Sequence, residues 1–149
     1  MKNQWTCKNP EEYTEICAEL FSQDSATNNK VICLQGDLGA GKTTFTQMLG
    51  RFLGVSSHIV SPTFTIMKQY ETTHHNFQVL NHIDAYRIES LEELGPLHIK
   101  ETISLPSNIS CIEWPEMIRE IIPDDAIWLQ FEILPDDSRR VTITPGKEQ

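Results

Sequence analysis

Val31-Ile32-Cys33-Leu34-Gln35-Gly36-Asp37-Leu38-Gly39-Ala40-Gly41-Lys42-Thr43-Thr44-Phe45 is the stretch on which the fold turns. Four consecutive apolar residues read as a short strand buried on both faces. Gly36 to Thr43 then match G-x-x-x-x-G-K-[ST] in full, and Phe45, Met48, Leu49 and Phe52 follow at the spacing of one helix face, which Gly54 can end. A strand, a glycine-rich turn and a helix in this order form a phosphate cradle. Glycine lets the backbone take left-handed turns and bring N–H groups up to phosphate oxygens. The helix points its unpaired N–H donors and partial positive charge at the same anion. Lys42 can reach the β- and γ-phosphates, and the Thr43 hydroxyl can take a magnesium position. The glycine order G-x-x-G-x-G excludes the dinucleotide fingerprint.

Further along, Val79-Leu80-Asn81-His82-Ile83 ends in Asp84, and the strand expected over Asn108–Glu113 ends in Glu113. Acids at the C-terminal ends of parallel strands lie beside a phosphate loop, so either is a candidate for the Walker-B acid that holds magnesium or its waters. His82 and Asp84 share a strand face, but two ligands do not make a zinc site. Ser61-Pro62-Thr63 precedes another strand. Proline holds Ser61 extended and leaves Thr63 free to touch a γ-phosphate, as in a switch loop, although an ordinary turn fits the spacing equally well. Tyr86-Arg87 offers a cation near the phosphates or simply an exposed arginine, and the 136–137 acids read as a solvated loop.

The remaining elements follow from periodicity. Asn9-Pro10-Glu11-Glu12 starts a helix carrying Tyr13, Ile16, Cys17, Leu20 and Phe21 on one face. A strand opens at Phe64-Thr65-Ile66-Met67 and runs to about Tyr70, with short helices over 89–94 and part of 96–104. Trp114, Met117, Ile118, Ile121 and Ile122 fit a helix stopped by Pro123. Ile127–Leu134 and Val141–Thr144 form a closing hairpin. Strand–helix alternation followed by a hairpin predicts an α/β fold with a mostly parallel sheet and antiparallel edges, as one domain over 1–149.

Composition narrows the function. The 149 residues carry a formal charge of −9, and residues 84–137 hold thirteen acids against three bases. Nucleic-acid binders normally carry a basic face, so direct RNA or DNA binding is not expected. No apolar run reaches the length of a membrane helix, and the charged N-terminal residues do not form a signal peptide. Cys7, Cys17, Cys33 and Cys111 show no metal-like spacing and read as reduced core residues of a cytoplasmic protein. A guanine-reading N-K-x-D is missing after the loop, which disfavours a GTPase. A small kinase would need an arginine-rich lid, and the chain has only five arginines, without a lid-like cluster. A nucleotide-gated scaffold with negligible turnover keeps the same binding residues.

Together GDLGAGKTTF, SPTFT, HIDAYRI and IEWPE, in this order, resemble the TsaE family, small bacterial ATPases of tRNA threonylcarbamoyladenosine biosynthesis. The resemblance runs from about Thr14 to Arg140. It implies a P-loop NTPase-like three-layer sandwich that binds ATP and Mg2+ through Gly36, Asp37, Leu38, Gly39, Ala40, Gly41, Lys42, Thr43 and Thr44. It further implies that Thr43 and Glu113 bind the metal, that Asp84 lies near the γ-phosphate and metal and serves hydrolysis, that Thr63 belongs to a switch loop, and that Trp114 lies close to the nucleotide. Thr14 and Arg139, with Arg140 as alternative to the latter, resemble the contacts to adenosine. The implied partners are TsaD and TsaB, which carry the threonylcarbamoyl transfer, while the ATPase resets their complex. Ala85 and the polar NFQVLN approach to His82 depart from the more apolar family pattern, and Gly95–Asn108 matches loosely.

Overall fold

The computed structural model describes residues 3–21, 30–37, 39–62 and 65–145. Seven strands build one sheet: β1 (Gln4–Cys7), β2 (Lys30–Gln35), β3 (Met67–Glu71), β4 (Val79–Asp84), β5 (Asn108–Glu113), β6 (Ile127–Ile133) and β7 (Arg139–Pro145). Their order is β1-β7-β6-β2-β5-β4-β3. The central four, β6, β2, β5 and β4, run parallel. β3 pairs antiparallel with β4, β7 with β6 and β1 with β7. This is the expected mixed α/β sheet, parallel in the centre with antiparallel edges and a C-terminal hairpin.

Side chains alternate across the sheet, so each buried strand feeds two cores. On one face Ile32, Leu34, Leu80, Ile109, Cys111, Leu129 and Phe131 meet α1 (Tyr13–Leu20) and α2 (Lys42–Phe52). On the other, Val31, Cys33, Ile83, Ile112 and Trp128 meet Leu94, Ile99, Ile103 and Ile118. These last come from two 3-10 segments, Leu91–Leu97 and Pro115–Ile121, and the short α3 (Ile99–Ile103). Three layers result. All four cysteines are free thiols inside this packing. Burial pushes Cys17 up to about 12 and Cys33 and Cys111 well above the usual thiol value, so these three are not primed for nucleophilic chemistry.

Local structure departs from the sequence expectation in four places. β1 was not expected. Its burial alternates strictly over Gln4, Trp5, Thr6 and Cys7, and it completes the edge beside β7. The first helix opens as a 3-10 turn at Pro10–Glu12, where the Asn9 side chain accepts the Glu12 N–H at 3.2 Å, and becomes α-helical only from Tyr13. β3 begins at Met67, although the Ile66 carbonyl still accepts the Asp84 N–H at 2.8 Å. The segment after Trp114 is a 3-10 helix broken at Ile118 (φ −132°, ψ 32°). Three residues per turn send Ile118 and Ile121 toward the sheet and turn Met117 out, leaving it 43% exposed. Phe52 is also on the rim, stacked on Phe21 with ring centres 5.5 Å apart. The polar loop over 22–29 lies outside the described residues.

Phe131 is the keystone of the helical face. Its ring meets Tyr13 and Phe45 edge-on, with centroids 6.1 and 5.7 Å away. Phe131→Ala should therefore lower the unfolding free energy by about 3–5 kcal/mol, measured by urea denaturation.

Candidate functional site

The C-terminal ends of β2, β4 and β5 converge, with Leu34 and Asp84 both in register with Glu113. A cleft of about 440 Å³ opens over these ends. Gly39, Gly41, Lys42, Thr43 and Thr44 form its floor, Asp84, Glu113 and Trp114 one wall, and Cys7 to Pro10 with Tyr13, Asp137 and Arg139 the other.

The glycines of the loop carry the geometry expected of an anion cradle. Gly36, Gly39 and Gly41 all have positive φ (152°, 81° and 105°). A Cβ at Gly36 would sit 2.7 Å from the Phe131 carbonyl oxygen, and one at Gly41 would collide with the Tyr13 hydroxyl. Asp37 accepts the Ala40 N–H through its carbonyl at 3.0 Å, closing the turn, while the Ala40 side chain is buried in the core. Leu38 lies outside the described residues. α2 starts directly after Gly41 without a side-chain cap, so its first N–H groups face the cleft.

Lys42 is only 5% exposed. Its ammonium donates to the Gly36 carbonyl at 2.6 Å and stands 3.8 Å above the Trp114 ring centre. Burial lowers its pKa, opposed by Glu113, Glu116, Asp84 and Asp37. Trp114 holds a left-handed conformation (φ 58°, ψ 49°), which turns the chain at the end of β5 and brings its ring against Lys42 and Tyr86.

The two carboxylates differ. Asp84 accepts the Tyr86 N–H at 3.0 Å. Burial holds its carboxyl above the ordinary value of 3.8; the Tyr86 bond opposes this and the Glu113 charge adds to it. Glu113 is buried and takes the Thr43 hydroxyl at 3.0 Å on Oε2 and 3.2 Å on Oε1. Oε2 also lies 2.6 Å from His82 Nε2. His82 is fully buried, and its Nδ1 has no hydrogen-bond partner among the described residues. An orphaned buried acceptor costs about 1–3 kcal/mol.

The oxygen donors Thr43, Glu113 and Asp84 suit a hard cation such as Mg2+. Among the described residues no three His, Cys, Asp or Glu side chains gather into a metal cage. That fits an ion held by one or two carboxylates together with phosphate and water.

The adenosine-side candidates separate. Arg139 lines the cleft and braces the loop, donating to the Gly39 carbonyl at 3.2 Å and the Asp137 carbonyl at 2.6 Å. Arg140 points elsewhere, to Glu132 at 3.9 Å. Thr14 is exposed, donates to the Glu11 carbonyl at 2.6 Å and does not line the cleft; its neighbour Tyr13 does. Thr63 falls outside the described residues, whereas Ser61 reaches the cleft. Asp137, read as a solvated loop, is instead part of the wall, in a left-handed conformation with φ 69°. Sequence reasoning also missed Cys7 to Asn9, which lie on the unforeseen β1 or just beyond it, and the second role of Tyr13. Burial pushes the Tyr13 phenol up to about 12. The alternation of Trp5 and Cys7 was the available signal for β1.

Comparison with known proteins agrees with this geometry. The family model described as "Threonylcarbamoyl adenosine biosynthesis protein TsaE" matches residues 7–141. A relative from Rickettsia bellii, named tRNA threonylcarbamoyladenosine biosynthesis protein TsaE, is 37% identical over 145 residues, covering 97% of this chain and 96% of its own. The Bacillus subtilis protein of the same name is 36% identical over 141 residues, covering 95% and 84%. Among solved structures, the crystal structure of Bacillus subtilis YdiB superposes with a TM-score of 0.67 at 31% identity, covering 95% of this chain and 84% of that one. With phosphate loop, acidic strand ends and whole-length similarity in agreement, the chain belongs to the TsaE family of threonylcarbamoyl adenosine biosynthesis proteins.

Proposed function

We propose that this protein is a magnesium-dependent ATPase of tRNA threonylcarbamoyladenosine modification, acting in the cytoplasm on a TsaD–TsaB complex rather than on tRNA directly. The observation that carries the reading is the cradle itself: positive-φ glycines, an uncapped helix start, and a buried lysine beside a hydroxyl–carboxylate pair at 3.0 Å. The acidic composition supports action through a protein partner, because a surface of this charge repels tRNA phosphates.

In this reading the loop N–H groups and Lys42 hold the β- and γ-phosphates, and Lys42 exchanges its bond to the Gly36 carbonyl for phosphate oxygens. Thr43 and Glu113, with Asp84 nearby, would hold Mg2+, which when bound neutralises charge on the phosphates. Asp84 orients the attacking water with the carboxylate oxygen left free by Tyr86. Thr63, two residues after Ser61 in the sequence, is the switch residue that senses the γ-phosphate. The wall of Cys7 to Pro10, Tyr13 and Arg139 takes the nucleoside. Catalysis then rests on positioning and charge neutralisation, not on covalent chemistry.

Arg139 is the only arginine lining the cleft among the described residues, and it is committed to Asp137 and the loop. A partner therefore completes the site, and turnover by the chain alone is weak. The test is Mg2+-dependent ATP turnover, alone and with purified TsaD–TsaB. Strong stimulation is expected. Unchanged turnover with tight ATP binding would instead favour the nucleotide-gated scaffold.

Two variants separate the roles. Lys42→Ala should reduce turnover by on the order of 10²-fold or more, while circular dichroism shows the fold retained. Asp84→Asn keeps the acceptor for Tyr86 but removes the charge, and turnover should fall by roughly 10²–10⁴-fold. Its effect on stability has the opposite sign. A carboxyl whose pKa is raised by folding binds its proton more tightly in the native state. Its penalty therefore grows as pH rises from the unfolded-state value through the native one. Asp84→Asn should raise the melting temperature at pH 7, and the gain should vanish below about pH 3.8.

A further inference from the structure

Glu113 needs an explanation beyond its place at a strand end. Its carboxylate is bound on one side by the Thr43 hydroxyl and on the other by a histidine from a different strand. A carboxylate accepts and does not donate, so His82 presents an Nε2–H to Oε2 across 2.6 Å. Both donors converge on Oε2, and Thr43 meets Oε1 more weakly, at 3.2 Å. Oε1 is therefore the oxygen left freer toward the cleft.

The two donors differ in constancy. The Thr43 hydroxyl is itself a candidate metal ligand. His82 sits on β4, hydrogen-bonded to β3 and β5 on either side, and stands in register with Cys111, two residues before Glu113 on the same face. It is a rigid anchor that reaches diagonally to the carboxylate. Its other nitrogen has no partner among the described residues. A histidine kept for packing would be replaceable by an apolar residue, and one kept for a polar network would use both nitrogens. One-sided use points to Glu113 alone.

We infer that His82 is a positioning residue: it fixes the rotation of the Glu113 carboxylate and thereby sets the affinity of the site for the divalent cation that accompanies the nucleotide. The inference rests on the nucleotide reading above. Ligand-orienting partners of this kind typically change metal affinity by about 10–100-fold.

The test compares three substitutions. His82→Leu fills the space without a donor, His82→Gln places an amide N–H near the Nε2 position, and His82→Asn places it too short to reach Glu113. His82→Leu and His82→Asn should raise the half-saturating Mg2+ for ATP binding and turnover by about tenfold or more, with ADP binding in EDTA within about twofold of wild type; His82→Gln should return to within about threefold. In the nucleotide-free protein, 15N NMR should find the ring proton on Nε2.

An unchanged Mg2+ requirement in His82→Leu overturns the proposal, as does equal impairment of His82→Gln and His82→Leu, which indicates packing alone. A ring protonated only on Nδ1 overturns it too. If His82→Leu does not fold, the contrast between His82→Gln and His82→Asn decides. Wild-type protein that binds neither ATP nor ADP with Mg2+ overturns the nucleotide reading as well, whereas binding wild type with an unaffected His82→Leu overturns this inference only.

Discussion

The Glu113 carboxylate ties together the parts of the molecule that must agree for the cleft to exist. It terminates β5, accepts a hydroxyl from the first turn of α2 and lies against a histidine of β4. Three elements distant in sequence thus share one buried charge. Removing a buried carboxylate from water is costly unless its lone pairs are met, so this arrangement is satisfied only when the strand register and the helix start are both correct. The glycine loop between β2 and α2 then has little freedom left.

The charge balance around Lys42 sets the electrostatics of the cleft. One buried ammonium faces the fields of Glu113, Glu116, Asp84 and Asp37, while the loop carbonyl of Gly36 accepts its hydrogen bond. Asp84 is itself disfavoured as an anion by burial. Burial of these groups costs stability, a common feature of functional sites. Trp114, over Lys42 and beside Tyr86, covers the same charge from the solvent side.

The two faces of the sheet divide the labour. Helices α1 and α2 pack over Phe45 and Phe131 and set the loop height, with Tyr13 serving both the core and the cleft wall. The opposite face is covered by short 3-10 segments and α3; a left-handed His98 joins the first of these segments to α3, and a left-handed Trp114 turns the chain at the end of β5. Within β4 the polar residues are split accordingly. His82 faces the side of α1 and α2, where it meets Glu113, and Asn81 bridges Gln69 and Ser110 on the other at 2.9 and 3.0 Å.

Much was legible in the residues alone because the signals are local. The phosphate loop, the buried strands ending in Asp84 and Glu113, and the stripe of α1 each lie within one short segment, where spacing translates directly into shared direction. That locality also explains the failures. β1 is four residues long and is held by β7, more than 130 positions away. The break at Ile118 answers to the core it fills, and Tyr13, a core residue of α1, also lines the cleft. Asp137 became part of the wall because the hairpin folds back across the cleft. The partnership of His82 with Glu113 joins residues 31 apart through strand register. The sequence by itself determined which chemistry is available, since residue types and local spacing carry it. Tertiary structure alone decided which groups meet, since burial, register and helix rotation are set by contacts between segments that no local pattern encodes.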